Sequence, residues 1–177
     1  PIVRSDNELL ELAGKGDAQA FESLYRRHRD WVYRLAWRFT GNEADALDVL
    51  QETFVYVLRK LTGLHLTAAM TTFLYPVVKH LSLNVRRRHT ASAVDDDLLA
   101  AIPAPAHDEP SRAELASALA RLAPEQREVV LMRFVDDMSL EEIAQALKLP
   151  LNTIKSRLYR ALDTLRQDSR TRDYFLE

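Results

Sequence analysis

Apolar residues recur at helical spacing through most of the chain, and polar residues fill the positions between them. Phe21, Leu24, Tyr25, Val32, Leu35 and Phe39 form one such stripe. Asp17 stands just before it, where its carboxylate can take up backbone N–H groups that a helix start leaves unbonded. Leu47, Leu50, Phe54, Leu58 and Leu61 form the next stripe and predict a helix from about Glu43 to Leu61, punctuated at its ends by Gly41 and Gly63. A third helical stretch is predicted from Thr67 to Arg88. Pro76 should kink or interrupt it, because proline lacks the N–H and its ring crowds the preceding turn. Ser5-x-x-Glu8, Asn42-x-x-Asp45, Ser111-x-x-Glu114 and Ser139-x-x-Glu142 mark further helix starts as capping boxes or their close relatives.

The pattern lapses after Arg88. Residues 91–111 hold Pro103, Pro105 and Pro110, several small residues and the acids Asp95, Asp96, Asp97, Asp108 and Glu109, which reads as a linker. Helical spacing resumes with Leu115, Leu119 and Leu122, then Pro124 at a first-turn position, then Val129, Val130 and Phe134. Only 4 glycines and scattered β-branched residues argue against a sheet. The expected fold is all-α: two small helical domains, residues 5–90 and 112–170, joined by a flexible acidic linker over 91–111.

The stretch from Ser139 to Leu165 is the most informative. A short helix with Ile143, Ala144 and Leu147 inward is followed by the turn Lys148-Leu149-Pro150 and a second helix from about Asn152 to Arg166, the pattern of a helix-turn-helix. At about 100° per residue, Ile154, Leu158, Ala161, Leu162 and Leu165 fall on one arc. Thr153, Ser156, Arg157, Arg160 and Thr164 fall on the opposite arc, with Lys155 and Tyr159 flanking. A helix in the DNA major groove needs this division, with an anchored apolar side and guanidiniums and short hydroxyls facing bases and phosphates. An amphipathic helix with a solvated basic face carries the same pattern.

Composition narrows the functional classes. There are no cysteines, so disulfides, thiolate metal sites and cysteine nucleophiles are excluded. The histidines His28, His65, His80, His89 and His107 are scattered without ligand spacing, and no glycine-rich phosphate loop or Ser/His/Asp grouping stands out, so no enzyme, metal site or cofactor is expected. The net charge of −2 weighs against a nucleic-acid partner, but setting aside the five linker acids leaves 24 bases against 21 acids. Those bases are clustered, as at Arg86, Arg87 and Arg88. The most apolar stretch, 64–78, is too short and polar to span a bilayer, and no cleavable signal is read at the start, so a soluble cytoplasmic protein is expected.

Several stretches together resemble a known family. Leu122-Ala123-Pro124-Glu125-Gln126-Arg127-Glu128-Val129-Val130-Leu131, followed by Arg133-Phe134, resembles the opening of the C-terminal domain of sigma-70-type initiation factors. Ser139-Leu140-Glu141-Glu142-Ile143-Ala144 and Asn152-Thr153-Ile154-Lys155-Ser156-Arg157-Leu158-Tyr159-Arg160-Ala161 resemble its helix-turn-helix. Ala20-Phe21-Glu22-Ser23-Leu24-Tyr25-Arg26-Arg27-His28 and Asp48-Val49-Leu50-Gln51-Glu52-Thr53-Phe54 resemble the family's first conserved domain. The likeness covers residues 8–168, and the two-domain form is that of the extracytoplasmic-function (ECF) sigma factors.

The resemblance implies roles. Asp48, Gln51 and Glu52 would dock on the RNA polymerase core. Lys79, His80, Asn84, Arg86, Arg87 and Arg88 would meet the minus-10 promoter element, and Thr153, Lys155, Ser156, Arg157 and Arg160 the minus-35 element. An anti-sigma factor is a further expected partner. The chain departs from the family's pattern by lacking a tryptophan near Phe73, by Pro76, and by His80 and Asn84 where asparagine and aspartate are common. Phe73, Leu74 and Tyr75 are read as core rather than as DNA contacts. Two other readings share parts of the pattern: a stand-alone helix-turn-helix regulator, which leaves the Asp48 face unexplained, and a degenerate adaptor that docks without reading promoters.

Overall fold

The computed structural model describes residues 3–90 and 109–168, which form eight helices and no strand. The acidic linker with Asp95, Asp96 and Asp97 lies outside the described residues. The chain divides into two units, residues 1–103 and 104–177.

In the first unit α1 (Asp6–Gly14), α2 (Ala18–Thr40), α3 (Glu43–Lys60) and α4 (Met70–Thr90) pack around α2, which touches the other three. The helix starts are built as their sequences suggest. Ser5 and Glu8 close a reciprocal box, with the Ser5 N–H donating to Glu8 Oε2 at 2.6 Å and the Glu8 N–H donating to Ser5 Oγ at 3.3 Å. Asp17 Oδ1 accepts from the N–H groups of Gln19 and Ala20. Between α2 and α3 the chain reverses in two residues. Gly41, at φ +76°, takes the left-handed cap that a Cβ would strain, and Asn42 caps α3 through the Asp45 N–H. Leu10, Leu24, Val32, Leu35, Val49, Val57, Leu74, Tyr75 and Val78 fill the core.

One expectation is corrected here. Leu47 and Leu58 are 44% and 48% exposed, whereas the buried track of α3 runs through Ala46, Val49, Leu50, Thr53, Phe54 and Val57. Thr53 fits that track because its own hydroxyl is satisfied, donating to the Val49 carbonyl at 2.7 Å. Pro76 does not interrupt α4, which starts at Met70 and runs through the proline. An interior proline costs about 3 kcal/mol. Burial of Leu74, Tyr75 and Val78 beside it offsets that, at roughly 1.5–3 kcal/mol for each large apolar side chain. Leu74 and Tyr75 are core as expected, while Phe73 is half-buried.

The second unit holds α5 (Glu109–Ala120), α6 (Pro124–Phe134), α7 (Leu140–Leu147) and α8 (Leu151–Gln167). α5 starts ahead of the expected Ser111 cap, so Ser111 lies within its first turn. Its C-terminal end is closed by one guanidinium: Arg127 donates to the carbonyls of Leu119, Ala120 and Leu122 at 2.9, 3.0 and 3.1 Å. Pro124 opens α6, where its missing N–H is no loss. α8 packs on α6 and α7 over Val129, Val130, Met132, Ile143, Ile154, Leu158 and Leu165. Phe134, one of the positions at helical spacing, is 56% exposed, with the Arg133 guanidinium 6.0 Å from its ring centroid. No helix among the described residues is long and apolar enough to cross a membrane.

Candidate functional site

Three surfaces carry the residues singled out in the sequence. The first is the helix pair α7–α8. Ser139 and Glu142 form a second reciprocal box at the start of α7, at 2.7 and 3.1 Å. Lys148 ends α7 in the left-handed conformation at φ +54°, and the Leu149 N–H closes on the Ala144 carbonyl at 3.0 Å. Pro150 then holds extended backbone at the position preceding α8. The tight turn fixes the direction of α8. Ile154, Leu158, Ala161 and Leu165 are buried, Thr153, Lys155 and Arg157 are half-buried, and Ser156, Tyr159, Arg160 and Thr164 are exposed. The Thr164 hydroxyl is engaged with the Arg160 carbonyl of its own helix at 3.0 Å. No carboxylate among the described residues pairs with Lys155, Arg157 or Arg160, although Arg121 and Arg166 on the same unit do find acids. The basic face of α8 is therefore open to an anionic ligand.

The second surface is the outer side of α3. Asp48, Gln51 and Glu52 are exposed, and their side chains take part in no hydrogen bond or ion pair among the described residues. Leu47, Val55 and Leu58 stand on the same solvent side, at 44%, 42% and 48% exposure. The face is a mixed one, with carboxylates set among uncovered aliphatic side chains. Sequence periodicity missed the aliphatic part. A clue was present, because the apolar residues at 46, 47, 49, 50, 54, 55, 57 and 58 together occupy more of the helix circumference than one buried face needs.

The third surface is α4. His80, Asn84 and Arg87 lie opposite the buried Leu74, Val78, Ser82 and Val85, with Arg88 beside them and Lys79 and Arg86 flanking. His80 and Asn84, both departures from the family's pattern, hydrogen-bond to each other at 3.1 Å. Arg86, Arg87 and Arg88 occupy the last turns, where positive charge suits the helix dipole. Arg86 also lines an open pocket of about 420 Å³ with Thr40, Asn42, Asp45, His89 and Thr90, in which His89 Nε2 sits 3.1 Å from Asp45 Oδ1. Elsewhere in this unit Tyr56 and Phe73 stack with centroids 6.2 Å apart and planes at 30°, and Lys60 Nζ lies 5.7 Å from the Tyr56 ring. No group of three or more His, Cys, Asp or Glu that could hold a metal occurs among the described residues.

Known proteins match both units. Residues 24–92 match Sigma-70 region 2, and residues 112–165 match Sigma-70, region 4. The chain is 34% identical over 156 residues to the ECF RNA polymerase sigma factor SigE of Mycolicibacterium smegmatis, covering 83% of this chain and 60% of that protein's length. It is 32% identical to the RNA polymerase sigma-E factor of Streptomyces avermitilis, with 89% of each chain covered. It is likewise 32% identical to the ECF RNA polymerase sigma factor SigM of Mycobacterium tuberculosis, covering 89% of this chain and 81% of that one. Among solved structures, CnrH in complex with the cytosolic domain of CnrY aligns with a TM-score of 0.67 at 26% identity, over 92% of this chain and 95% of that one. The sigma factor RpoE of Bartonella quintana, solved with the anti-sigma factor NepR, shares the fold with a TM-score of 0.67 at 20% identity, over 85% of this chain and 96% of that one. The chain belongs to the sigma-70 family, within its extracytoplasmic-function group of RNA polymerase sigma factors.

Proposed function

We propose that this sigma factor brings bacterial RNA polymerase to its promoters by dividing the work between its two units. In the first unit the α3 face of Asp48, Gln51 and Glu52, extended by Leu47, Val55 and Leu58, docks on the polymerase core. Carboxylates steer the encounter with a basic partner surface, and the aliphatic side chains supply buried area once water is expelled. The α4 cations Lys79, Arg86, Arg87 and Arg88 neutralise phosphates of the minus-10 region, and His80 and Asn84 stand on the same helix as hydrogen-bonding groups.

In the second unit α8 enters the major groove at the minus-35 element. Arg157 and Arg160 can each bond a guanine edge or a phosphate in bidentate fashion, Lys155 suits a phosphate as a point charge, and Thr153 and Ser156 offer short hydroxyls. One observation carries this reading: the outward side of α8 presents cations without a carboxylate partner, while its inward side is fully anchored. The chain performs no catalysis itself in this account, needs no cofactor, and acts in the cytoplasm where polymerase and chromosome meet. CnrH was solved bound to a protein partner, the cytosolic domain of CnrY, and an anti-sigma factor is proposed as the partner that holds this chain silent.

Run-off transcription with core polymerase and a promoter library randomised at both elements tests the proposal. Enrichment of a shared upstream and downstream motif is expected. Core binding without any transcript would instead identify an adaptor.

A further inference from the structure

Among the described residues the backbone enters the left-handed region at Gly16, Gly41, Gly63, Asp137 and Lys148. The three glycines lie just beyond the ends of α1, α2 and α3, where the missing Cβ leaves that conformation free of strain. Asp137, at φ +56°, stands between α6 and α7, and aspartate is among the few other residues that visit this region. Lys148, at φ +54° and ψ +45°, is of neither kind. Its Cβ crowds the following carbonyl oxygen. The end of α7 therefore carries a long cationic side chain where glycine would serve the backbone better.

Nothing inside the unit accounts for the lysine. Its side chain is exposed and pairs with no carboxylate among the described residues. Ala144 and Gln145 occupy the positions one turn earlier, where a helical ion-pair partner would stand. The α7 dipole favours a cation at this end, yet the last turn of α7, which carries no left-handed strain, holds no basic residue. A strained position occupied by such a side chain points to a role outside the fold. Lys148 stands at the junction of α7 and α8. In a helix-turn-helix on DNA the first helix crosses the phosphate backbone, and the second enters the groove by its N-terminal residues. A cation at that junction is placed for a phosphate, and an ammonium on a flexible four-carbon stem suits one as a point charge.

We propose that Lys148 is a phosphate-binding residue of the second unit, anchoring the DNA backbone beside the groove that α8 reads. The proposal rests on the major-groove reading of α8 above. It is tested with the full chain bound to core polymerase, on the promoter duplex that the wild type selects and on the same duplex with its upstream element scrambled. Affinity across a salt series and thermal unfolding followed by helical content are measured for Lys148→Gly, Lys148→Asn, Lys148→Arg and Arg157→Ala. Lys148→Gly should unfold no earlier than the wild type, because glycine relieves the left-handed backbone. It should nevertheless bind both duplexes roughly threefold to tenfold more weakly, with the slope of log affinity against log salt reduced by about 0.9, the share of one phosphate. Lys148→Asn, also tolerated in left-handed backbone, should match it, and Lys148→Arg should retain wild-type affinity and slope. Wild-type affinity and slope in Lys148→Gly overturn the proposal, as does an equal loss in Lys148→Arg. A loss confined to the selected upstream element overturns it too, since a phosphate contact carries no sequence preference. A wild type that selects no promoter, or an Arg157→Ala that binds as the wild type does, overturns the groove reading and this proposal with it. If Arg157→Ala loses affinity while Lys148→Gly loses none, the groove reading stands and this proposal alone fails.

Discussion

At Asp6 opposing effects meet on one carboxyl group. Burial pushes its pKa up, but the hydrogen bond and charge of His28, followed by those of Arg27, outweigh burial and hold it below the ordinary value of 3.8. A carboxylate depressed in this way contributes stability that is present above its unfolded pKa and lost as the pH falls through the folded one. Trp31 and Trp37 both lie on α2, so their fluorescence reports on the first unit. The urea midpoint seen by that fluorescence should fall as the pH drops below about 4. Asp6→Asn should lower the midpoint at pH 7 and flatten the acid limb; an acid limb of unchanged depth would show that Asp6 does not carry it. On α8, Arg157→Ala or Arg160→Ala should weaken promoter binding by about 1–3 kcal/mol wherever the arginine makes a bidentate base contact. If titrations show wild-type affinity for both variants, α8 is not the reading helix.

At the scale of the element, the helices differ in how plainly their sequences declare them. α8 was legible because its apolar positions lie on one narrow arc and its polar positions are cationic or hydroxylic, so period and packing agree. α3 was half legible. Its leucines form a stripe set to one side of the buried track, and spacing alone does not say which side packs. The structure buries Ala46, Val49, Thr53 and Val57 and leaves Leu47 and Leu58 outside. Leu58→Glu should accordingly preserve helical content and weaken core binding, which titration of labelled chain with core enzyme measures. Loss of the fold instead would make Leu58 a structural residue. Pro76 is carried inside α4 because propensity is local, whereas burial of Leu74, Tyr75 and Val78 is a property of the assembled unit. The Asn7–Leu66 and Asp6–His28 contacts were invisible in the sequence, since they join positions 59 and 22 residues apart and no periodicity encodes such pairs.

Across the whole molecule a net charge of −2 hides a division of sign. Open carboxylates stand on α3 in the first unit, and the open cations Arg87 and Arg88 stand on α4 in the same unit, as Lys155, Arg157 and Arg160 do on α8 in the second. A chain that must grip protein with one surface and DNA with others needs such segregation, which the sum of charges does not reveal. Promoter affinity should fall steeply as salt rises, because each neutralised phosphate releases counterions. The most direct measurement is equilibrium binding of the purified chain to core RNA polymerase, beside a variant carrying Asp48→Lys and Glu52→Lys. The account predicts a stable complex for the wild type, and for the variant a correctly folded chain that no longer binds. A wild type that ignores core enzyme, or a variant that binds it equally well, would contradict it.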